Sequence, residues 1–146
     1  MAHTILIVED NTNIRRFLRT TLEIEGYRAL EASTVQESLE HIDREQPDLV
    51  LLDLALPDGS GWDFIEAAPL RLPPLAGGEE ARSLPIVVLT ASADHGMSER
   101  ALAAGAVAFL TKPISAAELM ANVRRVLEAS AGHRRQEAGG KRGAPK

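Results

Sequence analysis

Five short apolar runs alternate along the chain with segments of helical periodicity. The runs are Thr4 to Val8, Arg28 to Ala32, Leu49 to Leu52, Ile86 to Leu89 and Ala106 to Leu110. Three of them are nearly continuous in leucine and β-branched residues, the pattern of strands buried on both faces of a parallel sheet. The second carries Arg28 and Glu31 and reads as an edge strand. Between the runs, Ile14, Phe17, Leu18 and Leu22 make one apolar stripe at helical spacing, and Gly26 stands where that helix would stop. Val35, Leu39 and Ile42 make the next stripe, which Pro47 forbids from continuing. Leu119, Val123, Val126 and Leu127 make the last, with Ser115 as N-cap and Glu118 three residues on, the spacing of a capping box. Met97 to Ala104 is alanine-rich and weakly amphipathic, so it is expected to be the least firmly packed helix.

Strand and helix alternating in this way imply an α/β domain whose parallel sheet is covered by helices on both faces. The stretch from Ala67 to Leu84 interrupts the alternation with Pro69, Pro73, Pro74 and the Gly77–Gly78 pair. The helix starting near Gly61 is therefore expected to be short and to be followed by a long exposed loop, read as disordered or decorative.

Composition narrows the picture. A chain of 146 residues, 45% of them hydrophobic, suits one globular domain, set here at residues 1–130. The absence of cysteine excludes disulfides and thiolate metal sites. No apolar run approaches the length of a membrane span or of a signal peptide's apolar region, which predicts a soluble, cytoplasmic protein without membrane insertion. The net charge of -5 divides unevenly: residues 131–146 hold five basic side chains and one acid. That Gly-rich basic tail lacks apolar periodicity and is expected to be disordered. The acidic body, poor in aromatics, offers no footprint for nucleic acid.

The chemistry gathers at the carboxyl ends of the runs. Glu9 and Asp10 follow the first, Asp53 ends the third, Thr90 ends the fourth and Lys112 follows the fifth. In open parallel sheets ligands bind outside those ends, where the strand order reverses. Read singly, Asp53 could cap a turn, Thr90 could be structural and Lys112 could be a solvated charge. Four strands delivering them to one edge make a site. Carboxylates held close repel one another, and a hard divalent cation such as Mg²⁺ relieves that repulsion with few carboxylates, leaving positions for water and phosphate oxygens. Thr90 can donate to a phosphate oxygen, Lys112 supplies positive charge, and Asp53 is a candidate nucleophile for an acyl phosphate.

The segments Ile5–Leu6–Ile7–Val8–Glu9–Asp10–Asn11, Leu51–Leu52–Asp53–Leu54–Ala55–Leu56–Pro57–Asp58–Gly59, Val87–Val88–Leu89–Thr90–Ala91 and Phe109–Leu110–Thr111–Lys112–Pro113 resemble the response-regulator receiver family of two-component signalling. The resemblance runs from about Met1 to Ala129 and implies a flavodoxin-like, five-stranded parallel sheet of order 2-1-3-4-5. It implies that Asp53 is the phosphoacceptor, that Glu9, Asp10, Asp53 and the Ala55 backbone carbonyl hold Mg²⁺, and that Thr90 and Lys112 meet the phosphoryl oxygens. It also implies that Phe109 and Thr90 form the switch and that Lys112–Pro113 is a cis peptide. The partners so implied are a histidine kinase or histidine phosphotransfer protein, with a further protein as target of a single-domain regulator. On this reading the protein is no enzyme, although it assists its own phosphorylation and dephosphorylation. Ala55 and Ser92 are short where the family tunes hydrolysis, and Ala55 cannot orient an attacking water, which predicts a slow loss of the phosphoryl group. The span from Asp53 to Thr90 is longer than the family pattern, and the proline-rich stretch absorbs the excess.

Rival readings fare less well. A flavin mononucleotide carrier would not place Glu9 and Asp10 where phosphate must sit, and a phosphatase using Asp53 as nucleophile wants an acid or base at Ala55. The alternative kept open is a receiver-like protein-binding module that works without phosphorylation. Trp62 reads as a partly exposed residue at a helix start that can report by fluorescence, and the four histidines lack metal-ligand spacing.

Overall fold

The computed structural model describes residues 3–56, 59–67, 84–91 and 96–143, with side chains described except at 59–60, 63, 66–67 and 130–143. Its elements in chain order are β1 (Thr4–Val8), α1 (Thr12–Ile24), β2 (Arg28–Ala32), α2 (Val35–Glu45), β3 (Leu49–Asp53), β4 (Ala55–Leu56), β5 (Gly59–Ser60), α3 (Gly61–Ala67), β6 (Ile86–Thr90), α4 (Met97–Ala104), β7 (Ala108–Thr111) and α5 (Ala116–Gly143).

Five strands form one parallel sheet of order β2-β1-β3-β6-β7, and β4 pairs with β5 in a separate antiparallel hairpin. Counting only the strands of the main sheet, the order is second, first, third, fourth, fifth. The charged strand β2 lies at one edge, as Arg28 and Glu31 imply. Strand order reverses between β1 and β3, and that reversal opens a crevice at their carboxyl ends.

Alternation along each strand divides the core in two. Ile5, Ile7, Leu49, Leu51, Val87 and Leu89 meet Leu18 and Leu22 of α1 and Leu119, Val123 and Leu127 of α5. Leu6, Val8, Val50, Leu52, Ile86 and Val88 meet Ile42 of α2, Phe64 and Ile65 of α3 and Ala101 of α4. Both faces of β1, β3 and β6 are thus buried, which is why their sequences run apolar without a break. Each large aliphatic side chain enclosed in this way contributes roughly 1.5–3 kcal/mol.

Local signals end the helices where the chain demands it. Asn11 accepts a hydrogen bond from the Ile14 N–H at 2.9 Å and caps α1, while Gly26, at φ 94°, turns the chain out of it. Ser115 and Glu118 exchange backbone and side-chain hydrogen bonds at the start of α5, a capping box.

Three expectations are corrected. Phe17 is 40% exposed, because α1 seats its Ile14–Leu18–Leu22 ridge on the sheet and the residue before Leu18 points about 100° away from that ridge. The fifth strand begins at Ala108, since Ala106 is still tied back to α4 through its N–H to the Ala101 carbonyl. The tail read as disordered from residue 131 is helical as far as Gly143. Arg134, Arg135, Gln136, Glu137 and Ala138 are good helix formers that extend an already nucleated helix, where only propagation is required. Helix α4 buries only Ala101, in keeping with its weak amphipathicity. The long proline-rich stretch lies, over residues 68–83, outside the described residues, as do Ser92 and residues 144–146.

Candidate functional site

Sheet register sets the level of each functional side chain. Val8 lies opposite Leu52, so Glu9 leaves β1 beside Asp53, the last residue of β3. Asp53 lies opposite Leu89, which puts Thr90 one step further on. Thr90 lies opposite Thr111, and the Lys112 N–H donates to the Thr90 carbonyl at 2.8 Å. Four strand ends therefore converge on the crevice.

There one carboxylate oxygen from each of Glu9, Asp10 and Asp53 lies within 4.8 Å of the other two. Glu9 is 1% exposed, Asp53 6% and Thr90 5%, while Asp10 faces solvent. The Lys112 ammonium donates to Glu9 Oε1 at 2.6 Å and to Asp53 Oδ2 at 3.1 Å. Backbone donors take the other oxygens, Asn11 N–H reaching Glu9 Oε2 at 3.1 Å and Ala55 N–H reaching Asp53 Oδ1 at 3.2 Å. The Lys112–Pro113 peptide is cis.

The electrostatics are unbalanced by design of the residue set. Burial pushes the Glu9 carboxyl above its ordinary range and the Asp53 charge adds to that, against the hydrogen bonds from Lys112 and Asn11. Burial alone would lower the Lys112 pKa, but the hydrogen bond to Glu9 and the charges of Asp53 and Glu9 prevail and raise it, so the ammonium keeps its proton. Three carboxylates around one ammonium leave a net charge of about -2, and two unit charges 4.8 Å apart repel by roughly 3 kcal/mol at an effective dielectric near 20. The donor set is all oxygen, open to solvent on the Asp10 side, and short by two positive charges. A hard divalent cation fits it.

Ala55 opens β4, and the hairpin returns through Ser60 to Gly61, the first residue of α3. A side chain at Gly61 would come 2.8 Å from Leu54 Cα, and the Gly61 N–H donates to the Leu54 carbonyl at 3.2 Å. The close approach fixes the turn that carries the chain away from Asp53, and it explains why glycine stands there. Phe109 is half-buried on β7, opposite Val88 and against the core on the α4 side. Trp62 lies half-buried in α3 with the Arg100 guanidinium 4.0 Å from its ring centroid, a cation–π contact that joins α3 to α4.

A family model described as the response regulator receiver domain matches residues 5–124. The chain belongs to the response regulator receiver family. Among curated relatives, the receiver is 43% identical over 123 residues to the KDP operon transcriptional regulatory protein KdpE of Escherichia coli, covering 84% of this chain and 50% of that protein. It is 36% identical over 127 residues to the phosphate regulon transcriptional regulatory protein PhoB of the same organism, covering 87% and 52%. The receiver thus spans about half the length of the curated relatives it matches. Among solved structures, a CheY-like response regulator receiver domain protein from Methanospirillum hungatei superposes with a TM-score of 0.79 at 30% identity, covering 91% of this chain and 99% of the other. Among the described residues no helix is long and apolar enough to cross a membrane.

One part of the site escaped the sequence reading. Arg15 donates through Nη1 to the Glu9 carbonyl and through Nε to Glu31 of β2, both at 2.8 Å, and Arg19 also pairs with Glu31. The signal was present: Arg15 and Arg19 stand four residues apart beside the apolar ridge of α1, at the spacing of one helical face, and the edge strand carries one acid, Glu31, for both.

Proposed function

We propose that this receiver accepts a phosphoryl group on Asp53 from the phosphohistidine of a histidine kinase or phosphotransfer protein, with Mg²⁺ held by Glu9, Asp10, Asp53 and the Ala55 carbonyl. The observation that carries the reading is the convergence of three carboxylates and the Lys112 ammonium at the reversal of strand order. A carboxylate oxygen of Asp53 attacks phosphorus in line, the P–N bond to the donor histidine breaks, and the new P–O bond leaves an acyl phosphate. Bound Mg²⁺ supplies the charge compensation that lets an anionic phosphoryl group approach an anionic nucleophile. Lys112 already reaches Asp53 Oδ2 and is placed to follow the charge onto the phosphoryl oxygens. Thr90, buried at the end of the neighbouring strand, offers its hydroxyl to the same oxygens.

The output on this reading is a change of protein-binding surface. Thr90 moves toward the phosphoryl group, Phe109 takes the space released, and the surface of α4, β7 and α5 is altered for another protein to read. Only a few kcal/mol of preference between two states is required. The receiver acts as a phosphoacceptor that assists its own phosphorylation and dephosphorylation. Ala55 has no group to orient an attacking water, so the acyl phosphate should be long-lived.

Intact-mass measurement after incubation with phosphoramidate tests this, with and without Mg²⁺, on the wild type and on Asp53→Ala. A gain of about 80 Da, one phosphoryl group, in the wild type with Mg²⁺ alone is expected. A gain in Asp53→Ala would move the acceptor elsewhere. No gain in either, with phosphoramidate or with a phosphohistidine-bearing protein as donor, would favour a module that binds its partner without phosphorylation.

A further inference from the structure

The three acids of the site are not held alike. Lys112 bonds Glu9 and Asp53, both buried, whereas Asp10 faces solvent, so its placement depends on the backbone of the loop that carries it. That loop joins β1 to α1, and its peptide groups are held from two directions. The Glu9 N–H donates to the Ala32 carbonyl of β2 at 3.0 Å. The Glu9 carbonyl, which belongs to the planar peptide leading into Asp10, accepts from Arg15 Nη1 at 2.8 Å.

Arg15 is itself anchored. Its Nε donates to Glu31 Oε1 at 2.8 Å, and Arg19, one turn further along α1, pairs with the other oxygen of Glu31. Glu31 and Ala32 are consecutive residues of the edge strand. β2 therefore grips the peptide groups on both sides of Glu9, one directly through Ala32 and one through Arg15. A guanidinium with two N–H groups committed in different directions has its plane fixed, which an ammonium could not achieve. Holding the Glu9–Asp10 peptide in one plane sets the direction in which the Asp10 side chain leaves the loop.

We infer that Arg15 is a positioning residue for the divalent cation: it fixes the peptide before Asp10 so that Asp10 stands ready beside Glu9 and Asp53. This rests on the reading of those three acids as the Mg²⁺ site. It opposes what simple charge would do, since a cation near the site should weaken Mg²⁺ binding.

The test is calorimetric titration of the full chain with Mg²⁺, comparing wild type with Arg15→Ala, Arg15→Lys and Arg124→Ala. Arg124 of α5 pairs at 3.0 Å with Glu25, the exposed residue that follows α1, so its loss removes one positive charge without touching the loop. Removing a partner that orients a metal ligand typically weakens binding about 10- to 100-fold, and Arg15→Ala should raise the Mg²⁺ dissociation constant by about 10-fold. Arg15→Lys should fall between, and Arg124→Ala should stay within about twofold of wild type. At saturating Mg²⁺, phosphorylation of Arg15→Ala by phosphoramidate should return to the wild-type rate, as expected of a residue that acts through the cation's ligand. Unchanged or tighter Mg²⁺ binding in both Arg15 variants would overturn the inference, as would an equal loss in Arg124→Ala. A wild type that binds no Mg²⁺ would instead remove the metal site on which the inference stands.

Discussion

Lys112 and Glu9, 103 residues apart in the chain, meet at 2.6 Å across the carboxyl edge of the sheet. The contact joins the first strand to the last and places a positive charge among carboxylates that would otherwise face one another alone. Truncating one partner of such a buried pair leaves the other uncompensated, which typically costs 3–5 kcal/mol. Lys112→Met should therefore lower unfolding stability at neutral pH by about 3 kcal/mol, at the lower limit because Glu9 can take up a proton. Urea unfolding in the presence of EDTA measures this. In a Glu9→Gln background the same substitution should cost clearly less, and equal costs in the two backgrounds would show that the pair is not coupled.

Glu31 links stability to acid. Burial raises its pKa, but the hydrogen bonds from Arg19 and Arg15 outweigh that and hold the carboxyl below its ordinary range. A carboxyl depressed in the folded state contributes stability above its unfolded pKa and loses it as pH falls through the folded value. Glu31→Gln should therefore melt below wild type at neutral pH, by about 1 kcal/mol or less for so solvent-screened a group. The two melting curves should draw together as the pH is lowered from neutral through the depressed folded-state pKa of Glu31. A difference that stayed constant over that range would assign the effect to packing rather than charge.

Most of the sheet is legible from the sequence because β1, β3 and β6 are buried on both faces and so run apolar without interruption. The site is legible for the same reason, since Glu9, Asp53 and Thr90 break otherwise apolar strands where the sheet ends. What escaped depends on three-dimensional neighbours. The hydrophobic spacing of α1 includes Phe17, but which of its residues face the sheet is decided by the docking angle of the helix, and Ile14, Leu18 and Leu22 take that position. The β4–β5 hairpin has only two residues on each side, too short for any periodicity. Arg15 looks like a surface charge until β2 brings Glu31 against it. The helical reach of α5 to Gly143 carries no apolar stripe and rests on propensity alone, the weakest of the signals.

Replacing Asp10 should separate stability from metal binding. It is exposed and adds a third negative charge to the cluster, so Asp10→Asn should melt at or slightly above the wild-type temperature in EDTA. The wild type should gain stability with added Mg²⁺, because a ligand that binds only the folded state stabilises it by about 2.7 kcal/mol at 100 times its dissociation constant. In Asp10→Asn most of that gain should disappear, since one of three charged oxygen donors is replaced by a neutral amide. Thermal melts of both proteins across a Mg²⁺ series, with Ca²⁺ as a size control, measure the difference directly. Equal stabilisation of the two proteins would place the bound cation away from the Glu9–Asp10–Asp53 cluster. A gain in the wild type that vanishes with Asp10, while the EDTA melts agree, would show that the loop after β1 exists to hold a cation rather than to hold the fold together.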